Sequence, residues 1–178
     1  MTAWLSPLVN VAVVLGVMLT LAALLIWYER RLLGLWQDRY GPNRVGPFGL
    51  LQVVADMIKI VFKEDWIPPF ADRFVFVLAP AVIMIAVLMS FVVVPLSPEI
   101  WVADSNVGLL FILAMSSMTV YASVLGGWAS NNKYALLGGL RSAAQMVSYE
   151  VFMGIALMGV VVLTGSFRLI DIVEAQAG

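Results

Sequence analysis

Histidine and cysteine are both missing from the 178 residues. With them go the usual ligands of haem, iron–sulfur clusters, zinc and copper, and any disulfide. If redox chemistry passes near this chain, partner chains must hold the electron carriers. Charge is scarce as well, at 12% of residues, and it nearly cancels to a formal −1. A polyanion therefore finds no electrostatic footprint, which excludes a nucleic-acid partner. The N-terminus lacks the basic stretch of a cleavable signal, and the first apolar run is long enough to span a membrane rather than to be cut away. There is no internal repeat. Apolar side chains fill the space instead: 62% of residues are hydrophobic and mean hydropathy is +0.99, far from the range of a soluble globular domain. Lipid is the solvent for most of this chain.

A spanning helix needs roughly 20 apolar residues, and four runs qualify, at about 8–28, 74–94, 107–128 and 143–163. The pattern predicts an all-α integral membrane protein with a single membrane domain over 1–178. Seven of the ten Lys and Arg lie between Arg30 and Arg73; Lys133 and Arg141 follow span three, and Arg168 alone falls on the other side. By the positive-inside rule the connections after spans one and three are cytoplasmic and the N-terminus is outside. The link over 95–106 carries Glu99 and Asp104 and no base, as an external loop does. Trp4, Trp27, Tyr28, Trp36, Trp66, Trp101 and Trp128 stand near span ends, where an aromatic ring suits the headgroup layer. Pro80 inside span two predicts a kink. Gly154 and Gly159 allow close helix contact, but their spacing is not that of GxxxG.

The first cytoplasmic connection is far longer than a simple link requires. It begins with "ERRLLGLWQDRYGPNRVGP", Glu29 to Pro47. Gly41, Pro42, Asn43, Gly46 and Pro47 break the helix and fix turns, which sets Arg39 and Arg44 on ordered backbone near the membrane plane. In "GLLQVVADMIKIVFKED" the polar residues Gln52, Asp56, Lys59 and Lys63 recur at +4, +3 and +4, on one face of a helix. That pattern predicts an amphipathic surface helix over about 48–64, lying on the cytoplasmic side of the membrane. It also suits a peripheral anchor that only stiffens the connection. Arg30 and Arg31 alone are accounted for by topology. Topology does not need the interleaved acids Glu29, Asp38, Asp56, Glu64, Asp65 and Asp72, and they nearly cancel the bases. A dense, turn-fixed and almost neutral segment suits paired charges that line a site or a subunit interface.

Glu150 is drawn about 10 Å into span four, where an ionised group costs at least ~2.5 kcal/mol unless it is paired, hydrated or protonated. Arg141 is nine residues away, on the opposite helix face and about 13.5 Å along the axis, so it cannot be the partner on a straight helix. Glu150 needs a group from another helix or a water-filled cavity, and is a candidate proton carrier. A structural hydrogen bond or a shallower span is the plainer alternative. In "WASNNKYALLGGLRSAAQ", Asn131 or Asn132 can cap the helix that follows.

The blocks "ERRLLGLWQDRYGPNRVGP", "LQVVADMIKIVFKEDWIPPFADRFVFVLAP" and "GGWASNNKYALLGGLRSAAQMVSYEVFMG" resemble the H-subunit family of NADH:quinone oxidoreductase, respiratory complex I. The resemblance covers residues 1–178 and corresponds to the N-terminal half of the family pattern, so a longer family chain is expected. It implies a multi-pass component of a plasma (inner) membrane translocase. With peripheral-arm subunits it would form the quinone chamber, and with other membrane-arm subunits it would couple quinone reduction to proton translocation in the respiratory chain. Quinone would be a substrate; FMN and the iron–sulfur clusters would belong to partners, with no cofactor or metal on this chain. Glu29, Arg30, Arg31, Arg39, Arg44, Asp56, Lys59 and Lys63 would border the chamber and its mouth, and Glu150 would begin the proton path. The alternatives are the corresponding subunit of an energy-converting membrane-bound hydrogenase, which co-purifying nickel would reveal, and a passive anchor, which has no use for Glu150. A small secondary transporter would show paired repeats and broken helices, and neither is seen.

Overall fold

The computed structural model describes residues 5–97 and 100–176; Trp4 and Glu99 lie outside them. The fold is helical: α1 (Leu5–Trp36), α2 (Gln52–Val61), α3 (Arg73–Ser90), α4 (Gly108–Ala129), α5 (Lys133–Thr164) and α6 (Leu169–Glu174). Four of these, α1, α3, α4 and α5, are long and apolar enough to cross a membrane. The chain divides into two compact units, Ala12–Trp66 and Met1–Val11 with Ile67–Gly178.

In the larger unit α3, α4 and α5 pack side by side, consecutive helices antiparallel. Lipid supplies no hydrophobic drive between helices, so close packing of small residues has to hold them. Ala79 and Ala86 of α3, Ala122 and Ala129 of α4, and Ala143 of α5 are all buried. Glycine brings α4 and α5 closer still. A Cβ on Gly127 would sit 2.8 Å from the Ala135 carbonyl oxygen, and one on Gly139 would sit 2.9 Å from that of Ser123. Gly154 and Gly159 are different: a Cβ on either would meet nothing within 4 Å.

The two asparagines before α5 have separate tasks. Asn132 caps α5, its side-chain oxygen accepting from the Tyr134 N–H at 2.9 Å. Asn131 takes a left-handed φ of 47 and donates to the Phe70 carbonyl at 3.1 Å. Asp72 caps α3 by accepting from the Val75 N–H at 3.1 Å, while its own N–H donates to the Ala129 carbonyl at 2.9 Å. The lead into α3 is thereby fastened to the α4–α5 turn.

At the opposite end of this unit Arg168 joins two acids. Its Nε donates to both oxygens of Asp104 at 2.9 and 3.0 Å, its Nη2 also pairs with Asp104, and its Nη1 reaches Asp171 at 3.1 Å. The guanidinium holds the Asp104 carboxyl below its ordinary range, and Asp104 in turn raises Arg168. Ser166 Oγ donates to Asp171 at 2.7 Å, and the Leu109 N–H donates to the Phe167 carbonyl at 3.1 Å. Asn10, one of the few polar residues of the first apolar run, donates to the Trp101 carbonyl at 3.0 Å. Asp104 of the link read as base-free thus takes its base from a distant segment.

Helix bounds depart from apolar-run bounds for a physical reason: a hydrogen-bonded ladder does not stop where the hydrocarbon does. Helix α1 continues past 28 to Trp36, so Glu29, Arg30 and Arg31 stand on helix. Helix α5 begins at Lys133, not at 143, because Asn132 caps it there. Helix α3 stops at Ser90, short of 94, just before the β-branched and aromatic "FVVV" that resists a helix. Pro80 lies inside α3, which continues through it.

Candidate functional site

Two clusters hold the residues of interest, one in each unit. In the unit 12–66, the chain after α1 turns sharply back on it. A Cβ on Gly34 would lie 2.8 Å from the Gly41 nitrogen, and one on Gly41 would lie 2.8 Å from Arg31 Cα. Gly46, Phe48 and Gly49 all have positive φ, at 73, 54 and 77. These left-handed residues keep α2 from starting before Gln52, and it ends at Val61. It is therefore shorter than the 48–64 that the periodicity predicts, and Lys63 falls beyond its end.

Asp56 is the hub of the charges. The last turns of α1 present Arg30, which pairs with Asp56. On α2 itself Gln52 donates to the same carboxylate at 2.9 Å and Lys59 at 3.2 Å, the i+4 and i+3 neighbours of one helix face. The hydrogen bond from Arg30 foremost, then those from Gln52 and Lys59, draw the Asp56 carboxyl down from 3.8 to about 2. Arg31 does not join this group. Its Nη1 donates to the Phe48 carbonyl at 3.2 Å and its guanidinium lies over the Trp27 ring, 5.4 Å from the centroid. The Trp27 N–H donates to that same carbonyl at 3.1 Å. Arg39 donates to Gln37 at 2.8 Å. A shallow cleft of about 260 Å³ opens between Arg30, Leu33, Arg39, Gly41 and Pro42. Glu29, Arg44 and Lys63 are exposed, and none has an ion pair or side-chain hydrogen bond among the described residues. The other side of α2 presents Val54, Met57, Ile58 and Val61, all exposed, as an interfacial helix requires.

Asp56→Asn is expected to free Arg30 and loosen α2, read as faster amide hydrogen exchange over Gln52–Val61. The depressed carboxyl sets the sign of the acid response. The stabilisation from ionised Asp56 is complete above 3.8 and is lost as pH falls toward about 2. Protection in the parent chain should therefore fall across that window, and the variant should lack that step.

The second cluster lies in the α3–α4–α5 unit. Glu150 of α5 meets Ser117 of α4, whose Oγ is 2.9 Å from Glu150 Oε2 and 3.1 Å from the Leu113 carbonyl oxygen. Both side chains are half-buried. Ser117 stands twelve residues from Ala129 and nine from Gly108, the two ends of α4, which is about 18 Å and about 13.5 Å at 1.5 Å per residue. The contact therefore places Glu150 level with the middle of a membrane-length helix, deeper than the 10 Å drawn from the apolar run. Arg141 is on another face of α5, beside an open groove with Gln145, Ser148, Tyr149 and Phe152. The partner that Glu150 needs is thus a neutral hydroxyl from the neighbouring helix.

The family model for NADH dehydrogenase matches residues 9–178. This chain belongs to the NADH dehydrogenase family. A curated member, the H subunit of the NADH-quinone oxidoreductase of Methylococcus capsulatus, is 66% identical over 168 residues, which is 93% of this chain and 53% of that protein. This NADH dehydrogenase family chain thus spans about half the length of the curated relative it matches.

Within this NADH dehydrogenase family chain, Ser117 is the residue that sequence reasoning missed. The available signal was "SSMT" in the middle of an apolar run, three hydroxyls where none is needed for spanning. Thr119 is occupied otherwise, with its Oγ1 2.7 Å from the Ser116 carbonyl and 3.9 Å from Met146 Sδ.

Proposed function

We propose that the chain is a membrane subunit of a proton-translocating NADH:quinone oxidoreductase, one that helps form the quinone chamber against the peripheral arm and couples quinone reduction to proton movement. The N-terminus is then outside and the connections after α1 and α4 are cytoplasmic, following the distribution of Lys and Arg. FMN and iron–sulfur clusters reside on partner subunits. Arg30, Asp56 and Lys59 border the mouth of the chamber, with Glu29, Arg31, Arg39, Arg44 and Lys63 around them, and Glu150 carries the proton. Family membership supports the host complex, and one observation carries the coupling role: an acid at mid-helix paired with a hydroxyl rather than a cation. A hydroxyl donates to a carboxylate and accepts from a carboxylic acid, so either form of the group keeps a hydrogen bond.

The test is purification of the tagged chain with its partners from the native membrane in mild detergent. Iron–sulfur signals together with inhibitor-sensitive NADH:quinone reduction are expected. A nickel-containing assembly without quinone reduction would move the chain to the hydrogenase class instead.

A further inference from the structure

We propose that Ser117 is the positioning residue of the Glu150 carboxyl: a rotating hydroxyl that keeps it hydrogen-bonded whether or not it carries a proton. The inference rests on the proton role of Glu150 and adds the group that makes both of its charge states tolerable within the bundle. Ser117 Oγ is placed between two oxygens, Glu150 Oε2 at 2.9 Å and the Leu113 carbonyl at 3.1 Å, but a hydroxyl has only one proton to give. The two contacts therefore describe two states.

With Glu150 ionised, the serine proton points to the carboxylate. With Glu150 protonated, its O–H donates to Ser117 Oγ, and the serine proton turns to the Leu113 carbonyl four residues back, an ordinary bond for a helical serine. The arriving proton resides on Glu150 and leaves from it. Ser117 keeps its own proton throughout, none of its covalent bonds breaks, and only the carboxyl changes charge. The switch needs a rotation about one C–O bond and no heavy-atom movement, which suits two helices held close at Gly127 and Gly139. Thr119, bonded to the Ser116 carbonyl two residues along, does not stand between the same two oxygens.

Ser117→Ala, Ser117→Thr and Ser117→Cys in the assembled complex test this, with Glu150→Gln as the reference. Infrared difference spectra identify the Glu150 carboxyl band by its loss in Glu150→Gln. In Ser117→Ala that band should move to higher wavenumber, as it does when an acid loses its acceptor, and proton-coupled quinone reduction should fall about tenfold. Ser117→Thr should restore both. Ser117→Cys, with a weak donor of similar size, should be intermediate, and with Ser117→Thr it carries the comparison should Ser117→Ala fail to assemble. An unmoved band with an unchanged rate in the variant that assembles overturns the positioning role. If Glu150→Gln itself leaves turnover and pumping untouched, it is the proton role of Glu150 that fails, and the position of the carboxyl band alone then decides whether Ser117 holds it.

Discussion

Glutamine in place of Glu150 is expected to lower proton-coupled quinone reduction about a hundredfold, the scale of losing a positioned proton carrier. The amide matches the carboxyl in shape and can both accept from and donate to Ser117, so the α4–α5 contact survives while the ability to gain and lose a proton is gone. The measurement is NADH:quinone reduction and proton uptake in inverted membrane vesicles. Electron transfer from NADH to an artificial acceptor, which bypasses the quinone, monitors the amount of assembled complex. Vesicles that still pump at the parent rate would remove Glu150 from the proton path.

The largest structural effect is expected at Gly49. Its φ is +77, and an added Cβ would lie 2.2 Å from the Pro42 carbonyl oxygen and 2.4 Å from its carbon. Both obstacles are backbone, so no side-chain rotation relieves them. A left-handed non-glycine residue together with such a clash costs on the order of 3 kcal/mol. Gly49→Ala should therefore open the turn, withdraw the Phe48 carbonyl from Trp27 and Arg31, and expose the peptide after Arg44 to trypsin several times faster. Gly16→Ala is the control, since a Cβ there meets nothing within 4 Å. Equal cleavage rates for the two variants would show that the turn does not depend on this approach.

The four spans were legible because hydrocarbon admits only long apolar runs with their backbone bonded internally. Their ends were not, because Asn132 and the ladder it caps extend α5 well outside the apolar window. On α2 the i, i+3, i+4 rule brought Gln52, Asp56 and Lys59 together correctly, since helical periodicity is local. The same rule gave no sign of Arg30, which arrives from α1 through a turn set by three left-handed residues, nor that Lys63 would lie past the helix end. Glu150 could be read as an acid in need of a partner. Ser117 could not, because the pairing across 33 residues of sequence depends on the glycine contacts that set the depth of one helix against the other. Asp104 and Arg168 were assigned to the same side by charge counting; that they touch depends on α4 and α5 returning the chain to one place.

That last contact bears on how the chain stays inserted. Asp104 and Arg168 are separated by 64 residues, and between them lie both membrane-length helices α4 and α5, so the pair can form only after this hairpin has crossed in full. Before closure Arg168 has only Asp171, three residues along its own segment, to pair with. Afterwards, withdrawing either helix would have to tear the guanidinium from Asp104 or drag the paired charges through hydrocarbon. The triad therefore acts as a latch that records completed insertion: it adds nothing to the path across the membrane and much to the difficulty of going back.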